Sequence, residues 1–227
     1  MSVLVKICGL KTAEALEVAL TAGADMVGFV FFPPSPRNLA FADARTLAQA
    51  VGGRAQKVAL SVDADDAWLA AIIEAIDPDV LQLHGTESPQ RVLAIKSRFK
   101  RAVMKAIAVE HKDDLSAVSR YTNVADRLLF DARAPRDATR PGGLGKVFDW
   151  RLLAGIDRDV PFMLSGGLDA GNVAEALTIT RAAGVDVSSG VERAPGEKDL
   201  DKIRAFIRAA RQAASTLSSS VGVASVG

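Results

Sequence analysis

Eight short runs of apolar, largely β-branched residues alternate with helix-patterned segments along this chain: Val3 to Ile7, Met26 to Phe31, Lys57 to Val62, Val80 to Leu83, Ala102 to Ala106, Arg127 to Phe130, Val160 to Leu164 and Val185 to Val187. Between them, apolar residues recur at helical spacing, most clearly at Leu16, Ala19 and Leu20, at Leu69, Ile72, Ile73 and Ile76, and at Leu200, Ile203, Phe206 and Ile207. Strands joined by helical crossovers run parallel. Eight such units in about 210 residues leave little room for a second domain, and a closed barrel is the economical arrangement. The expected fold is therefore α/β, a single (β/α)₈ TIM barrel of eight parallel strands with outer helices. A doubly wound open sheet is the competing architecture, but Cys8-Gly-Leu-Lys-Thr follows the first strand where that fold would carry G-x-G-x-x-G.

The catalytic domain is expected over residues 1–211. Residues 212–227 are small and polar and are expected to form a disordered tail. With 49% apolar residues but only 5% aromatics, the core must come from Ala, Val, Leu and Ile. A net charge of +1 with no basic stripe argues against nucleic acid as a partner. No run approaches the ~18 apolar residues of a membrane span, and the single cysteine fits a reducing, cytoplasmic setting. Two histidines in unrelated contexts, His84 and His111, make a poor metal site.

Chemistry in such barrels sits at the C-terminal ends of the strands, so those positions can be searched from sequence. They hold Cys8, Arg37 slightly beyond, His84, Lys105, Asp131, Ser165 with Gly166 and Gly167, and Ser188 with Ser189 and Gly190. Cys8 shares a strand face with Lys6, which places a thiol beside an ammonium; it reads equally as a base or as an inert small hydrophobe. Asp131 reads as an acid, as an N-cap or as a partner of Arg133. His84 is as consistent with a structural role as with a substrate contact. Arg37 sits in a proline-stiffened loop, and its forked donors match a carboxylate. Three glycine-rich stretches follow strands six, seven and eight: Gly142, Gly143 and Gly145; Gly166 and Gly167; and Gly190 after Ser188 and Ser189. Together they favour a phosphorylated small-molecule substrate held by backbone N–H groups.

These motifs occur in one order: Val5-Lys-Ile-Cys-Gly-Leu, Gly23-Ala-Asp-Met-Val-Gly-Phe-Val-Phe, Ser35-Pro-Arg, Leu81-Gln-Leu-His-Gly, Leu129-Phe-Asp, Gly142-Gly-Leu-Gly-Lys-Val-Phe-Asp-Trp, Leu164-Ser-Gly-Gly-Leu and Val185-Asp-Val-Ser-Ser-Gly-Val-Glu. In that order the chain resembles the phosphoribosylanthranilate isomerase family from about Val3 to Ile207. The resemblance implies an Amadori rearrangement of N-(5-phosphoribosyl)anthranilate in tryptophan biosynthesis, without metal or organic cofactor. It implies Asp131 as general acid at the furanose oxygen and Cys8 as general base at C2. Arg37 would hold the anthranilate carboxylate, while His84, Asp186, Ser188, Ser189 and the glycines of the last three strand ends would contact the phosphorylated substrate. Leu144 departs from the family pattern, which has a small hydroxylated residue there. A monomer is expected, with a homodimer as alternative. The competing functions are another phosphosugar isomerase, indole-glycerol-phosphate synthase, and a non-catalytic barrel that binds phosphorylated metabolites.

Overall fold

The computed structural model describes residues 3–135, 138, 140–157 and 160–223, with side-chain surroundings as far as residue 217. Eight parallel strands close on themselves in sequence order: β1 (Leu4–Cys8), β2 (Met26–Val30), β3 (Gln56–Ser61), β4 (Val80–Leu83), β5 (Ala102–Val109), β6 (Arg127–Ala132), β7 (Phe162–Leu164) and β8 (Gly184–Val187). Closure is made by β1 against β8, with Leu4 opposite Gly184 and Lys6 opposite Asp186. Every strand expected from the sequence is present, with ends displaced by at most three residues.

The crossovers are less regular than the sequence pattern suggests. Helices α1 (Ala13–Thr21), α2 (Phe41–Val51), α3 (Asp66–Ile76) and α4 (Pro89–Phe99) follow the first four strands. Side-chain oxygens cap three of them: Thr12 accepts from the Ala15 amide, Asp65 from Trp68 and Ser88 from Arg91. After β5 comes a 3₁₀ segment, Lys112–Ala117, and one helical turn, α5 (Val118–Tyr121). After β6 the crossover carries only a 3₁₀ segment, Trp150–Gly155, among the described residues, so the expectation of a helix after every strand fails there. Buried Trp150 and Leu153 cover the sheet in its place. Helix α6 (Val173–Thr180) follows β7, and a small antiparallel hairpin, β9 (Glu192–Ala194) with β10 (Glu197–Lys198), precedes the last helix.

That helix, α7 (Leu200–Val223), takes in residues 212–223 of the expected disordered tail, while 224–227 lie outside the described residues. The segment from 212 is helical as far as Val223, because Ala210, Ala214 and Leu217 continue the face that Ile203, Phe206 and Ile207 begin, at spacings of four and three residues. No described helix is long and apolar enough to cross a membrane.

Two cores result. The larger lies between sheet and helices. The smaller fills the barrel itself: Met26, Val58, Val80, Met104, Ala106, Leu129 and Met163, with Leu4 packed against it. Because side chains alternate along a strand, the next inward residue of β1, β4, β6 and β8 stands one layer higher. Those residues are Lys6, Gln82, Asp131 and Asp186, all buried. The floor of the mouth is thus polar and lies directly on an apolar plug.

Candidate active site

One cleft opens at the C-terminal ends of the strands. Cys8, Arg37, His84, Asp131, Asp186, Ser188 and Ser189 line it. Gly142, Gly143 and Gly145 border it from the loop after β6, and Gly166 and Gly167 from the turn after β7. Both latter glycines have positive φ, +89° and +65°, and a side chain on Gly167 would stand 2.7 Å from the Lys146 carbonyl oxygen. Leu144 borders the cleft too, partly exposed, so no side-chain hydroxyl is offered at that position.

Two sequence-derived candidates lie elsewhere. Gly190 does not line the cleft; a β-carbon there would collide with the Leu168 carbonyl, so there is no space for a side chain. Lys105 points away from the barrel axis. Its ammonium is buried behind the sheet against Glu87 Oε2 at 2.9 Å and the Gly85 carbonyl at 2.7 Å. Arg133, the suggested partner of Asp131, instead pairs with Asp114 and Glu110.

Cys8 lies at the end of β1 opposite Gly28 of β2. A β-carbon at Gly28 would stand 2.9 Å from Cys8 Sγ and 3.2 Å from Lys6 Cε, so the absent side chain is what makes room for thiol and ammonium together. The expected activation of the thiol by Lys6 is only part of the balance. Burial pushes the Cys8 pKa up, Lys6 and Lys198 pull it down, Asp186 pushes it up again, and the net direction is upward. Lys6 itself is wholly buried. Burial opposes its charge, yet Asp186 and the adjoining thiol outweigh that and hold it above its ordinary value. Its ammonium donates to Asp186 Oδ2 at 3.1 Å and to Gln82 Oε1 at 2.7 Å. Asp186 Oδ1 is buried with no hydrogen-bond partner among the described residues.

Asp131 lies three strands from Cys8 around the ring, on β6. Its Oδ1 accepts from the Ala132 amide at 2.9 Å, and its Oδ2 lies 3.1 Å from His84 Nε2. The β6 loop covers this pair so closely that any side chain on Gly142 would strike Asp131 Oδ2 and His84 Nε2. Arg37 reaches the cleft from the β2 loop, but one edge of its fork is already used. Nε and Nη2 donate to Glu192 at 2.7 Å each, and Nη2 also donates to the Gly143 carbonyl at 3.1 Å. Glu192 takes a further bond from Lys198 at 2.9 Å. Burial pushes the Glu192 carboxyl up, but Arg37 and Lys198 prevail and hold it below the usual carboxylate range.

Sequence reasoning missed Gln82, Glu192 and Lys198. Gln82 carried a signal, since it sits two residues before His84 and so on the same strand face. Glu192 closes the last motif. Lys198 reaches the site only through the β9 and β10 hairpin, which no local pattern announces.

The arrangement offers a thiol and a carboxyl on different sides of one cleft, a clamped guanidinium and three glycine-rich rims. Residues 5–209 match the family described as N-(5'phosphoribosyl)anthranilate (PRA) isomerase. A protein of Nitrobacter winogradskyi named N-(5'-phosphoribosyl)anthranilate isomerase is 64% identical over 217 residues, covering 96% of both chains. One of Rhodopseudomonas palustris with the same name is 61% identical, covering 96% of this chain and all of its own. Among solved structures, phosphoribosyl anthranilate isomerase from Thermotoga maritima superposes with a TM-score of 0.84 at 34% identity, covering 92% of this chain and 99% of that one. A phosphoribosyl anthranilate isomerase solved in complex with reduced 1-(o-carboxyphenylamino)-1-deoxyribulose 5-phosphate superposes with a TM-score of 0.81 at 32% identity, with the same coverage.

Proposed function

Since this chain belongs to the N-(5'-phosphoribosyl)anthranilate isomerase family, we propose that Asp131 and Cys8 act at the barrel mouth as the acid and base of that family's reaction. The chain is an isomerase of tryptophan biosynthesis, converting N-(5-phosphoribosyl)anthranilate to 1-(2-carboxyphenylamino)-1-deoxyribulose 5-phosphate. The observation that carries the residue roles is the shared cleft: Cys8 and Asp131 both line it, between Arg37 and the glycine rims.

In this reading Asp131 gives its proton to the furanose ring oxygen. The C1–O bond breaks, the anthranilate nitrogen supplies the electrons, and a protonated Schiff base forms at C1. Cys8 then takes the proton from C2, leaving an enaminol that tautomerises to the aminoketose. The raised thiol pKa has two opposing effects. It lowers the thiolate population at neutral pH and makes each thiolate a stronger base. The iminium charge formed by ring opening favours the thiolate at the moment it is needed, where Asp186 compensates Lys6 at rest.

Arg37 holds the anthranilate carboxylate through the part of the guanidinium not bound to Glu192. The phosphate sits against the backbone N–H groups of Gly143, Gly145, Gly166 and Gly167 and near Ser189, and Asp186 Oδ1 accepts from a ribulose hydroxyl. A cytoplasmic enzyme fits the same reading, because the one cysteine must stay reduced to act as a base.

The test follows the fluorescence of substrate generated in situ, with Cys8→Ser and Asp131→Asn variants confirmed folded by circular dichroism. Wild type is expected to consume the signal, and each variant to lose about 10²–10⁴-fold in turnover. Full activity in either variant removes that residue from its role, and an inert wild type removes the reaction.

A further inference from the structure

His84 lines the cleft without a part in the acid and base steps, and hydrogen bonds beneath the mouth tie it to Asp131 and to Lys6, the neighbour of Cys8. Lys6 Nζ donates to Gln82 Oε1 at 2.7 Å, Gln82 Nε2 lies 3.1 Å from His84 Nδ1, and His84 Nε2 lies 3.1 Å from Asp131 Oδ2. An ammonium has donors only, so the Gln82 oxygen must face Lys6 and its amide nitrogen must face His84. Turning the amide over would oppose N–H to N–H at Lys6. The amide nitrogen is itself a donor, so His84 Nδ1 must accept and the ring proton must sit on Nε2. The direction of every donor is thereby set from Lys6 outward, ending at the Asp131 carboxyl.

We propose that Gln82 and His84 are positioning residues for the acid: together with Lys6 they lock His84 in the Nε2–H tautomer, which fixes the rotamer of Asp131 and receives the carboxylate it becomes. This inference rests on Asp131 being the acid, as proposed above. After proton delivery each carboxylate oxygen meets a donor already in place, Oδ1 the Ala132 amide and Oδ2 the His84 ring. Donors fixed in advance need no reorganisation when the charge appears. Gly142 lies directly over the pair, and Lys6 and Gln82 beneath it are wholly buried. Gln82 does not line the cleft, so any effect of changing it on turnover must pass through its neighbours.

The chain has only two histidines, so the imidazole ¹⁵N spectrum of histidine-labelled protein holds two residues, and His111 is largely exposed. Wild type should show His84 protonated on Nε2 and bare on Nδ1. Gln82→Glu offers an acceptor where the amide offered a donor, and should move a proton onto Nδ1. Since a group misplaced by about 1 Å can cost about 10²-fold, kcat should fall about 10- to 100-fold with KM within about twofold. His84→Gln, whose amide can still donate toward Asp131, should keep at least about ten times the kcat of His84→Leu.

A wild-type Nδ1–H tautomer overturns the proposal, as does an altered tautomer with unchanged kcat or equal losses in the two His84 variants. If Gln82→Glu does not fold, the wild-type spectrum and the His84 pair decide alone. Turnover retained by Asp131→Asn defeats the acid assignment itself. Turnover lost there but kept in Gln82→Glu defeats only the positioning.

Discussion

Replacing Glu192 by alanine tests whether the clamp on Arg37 is as costly to break as its burial implies. Glu192 carries two bonds from Arg37 at 2.7 Å and one from Lys198 at 2.9 Å, and the side chains of Arg37, Glu192 and Lys198 are each at most 5% exposed. Removing one partner of a buried ion pair costs about 3–5 kcal/mol, because the other charge stays buried and unpaired. Here two cations are stranded, but Lys198 has a way out. Burial already holds its pKa below the ordinary lysine value despite Glu192, so without that carboxylate it can shed its proton. Arg37 cannot, although cleft water can reach it. The lower end, about 3 kcal/mol, is therefore expected. At about 2–4 °C per kcal/mol for a chain of this size, Tm should fall by about 6–12 °C.

The sign with pH follows from the same contacts. The Glu192 carboxyl is held below its usual range, so its contribution is present above the unfolded pKa of about 4.3 and is lost as pH falls through the folded value. The Tm gap between wild type and Glu192→Ala should accordingly narrow below about pH 4. Scanning calorimetry from pH 7 to pH 3 measures both. A double variant, Arg37→Met with Glu192→Met, removes both charges, and should recover most of the lost Tm while substrate affinity stays poor. A Glu192→Ala variant melting within about 2 °C of wild type at pH 7 would refute the argument that this pair is buried and mutually dependent.

Two further expectations concern Cys8. With burial as the largest influence and the net shift upward, the thiol should be mostly protonated at neutral pH. Alkylation by iodoacetamide, which has only one cysteine to find, should accelerate about tenfold per pH unit from pH 7 to 8.5, and a plateau below pH 8 contradicts the upward shift. In Gly28→Ala, a β-carbon 2.9 Å from Cys8 Sγ and 3.1 Å from Cys8 Cα must displace the thiol or its strand, since carbon contacts settle at about 3.5–4.0 Å. The change should cost about 1–3 kcal/mol of stability and about 10²-fold in kcat, and wild-type kcat in a folded Gly28→Ala enzyme contradicts the idea that this gap sets the base.

The strands were legible because each inward face is a barrel layer and each outward face a helix-covered core, so buried runs such as Met26–Val30 are apolar on both sides. The crossover after β6 was not, since Trp150 and Leu153 cover the sheet from a 3₁₀ turn too short to show a period. The continuation of α7 was hidden for a different reason. Ala210 and Ala214 fill the face with methyl groups, and small side chains pack closely without looking amphipathic. Positions of chemical groups followed from strand ends, so Cys8, His84 and Asp131 were found from the sequence, whereas their electrostatics did not follow. Lys6 stands beside Cys8 in any reading of β1, but whether it activates the thiol depends on Asp186, which arrives 180 residues later through the register of β1 with β8. The tautomer of His84 depends likewise on Lys6 through Gln82, 76 residues apart in sequence and joined only by closure. Alternation along one strand can say which groups face the axis. The charge each group meets there is a sum over strands, and only the closed barrel determines it.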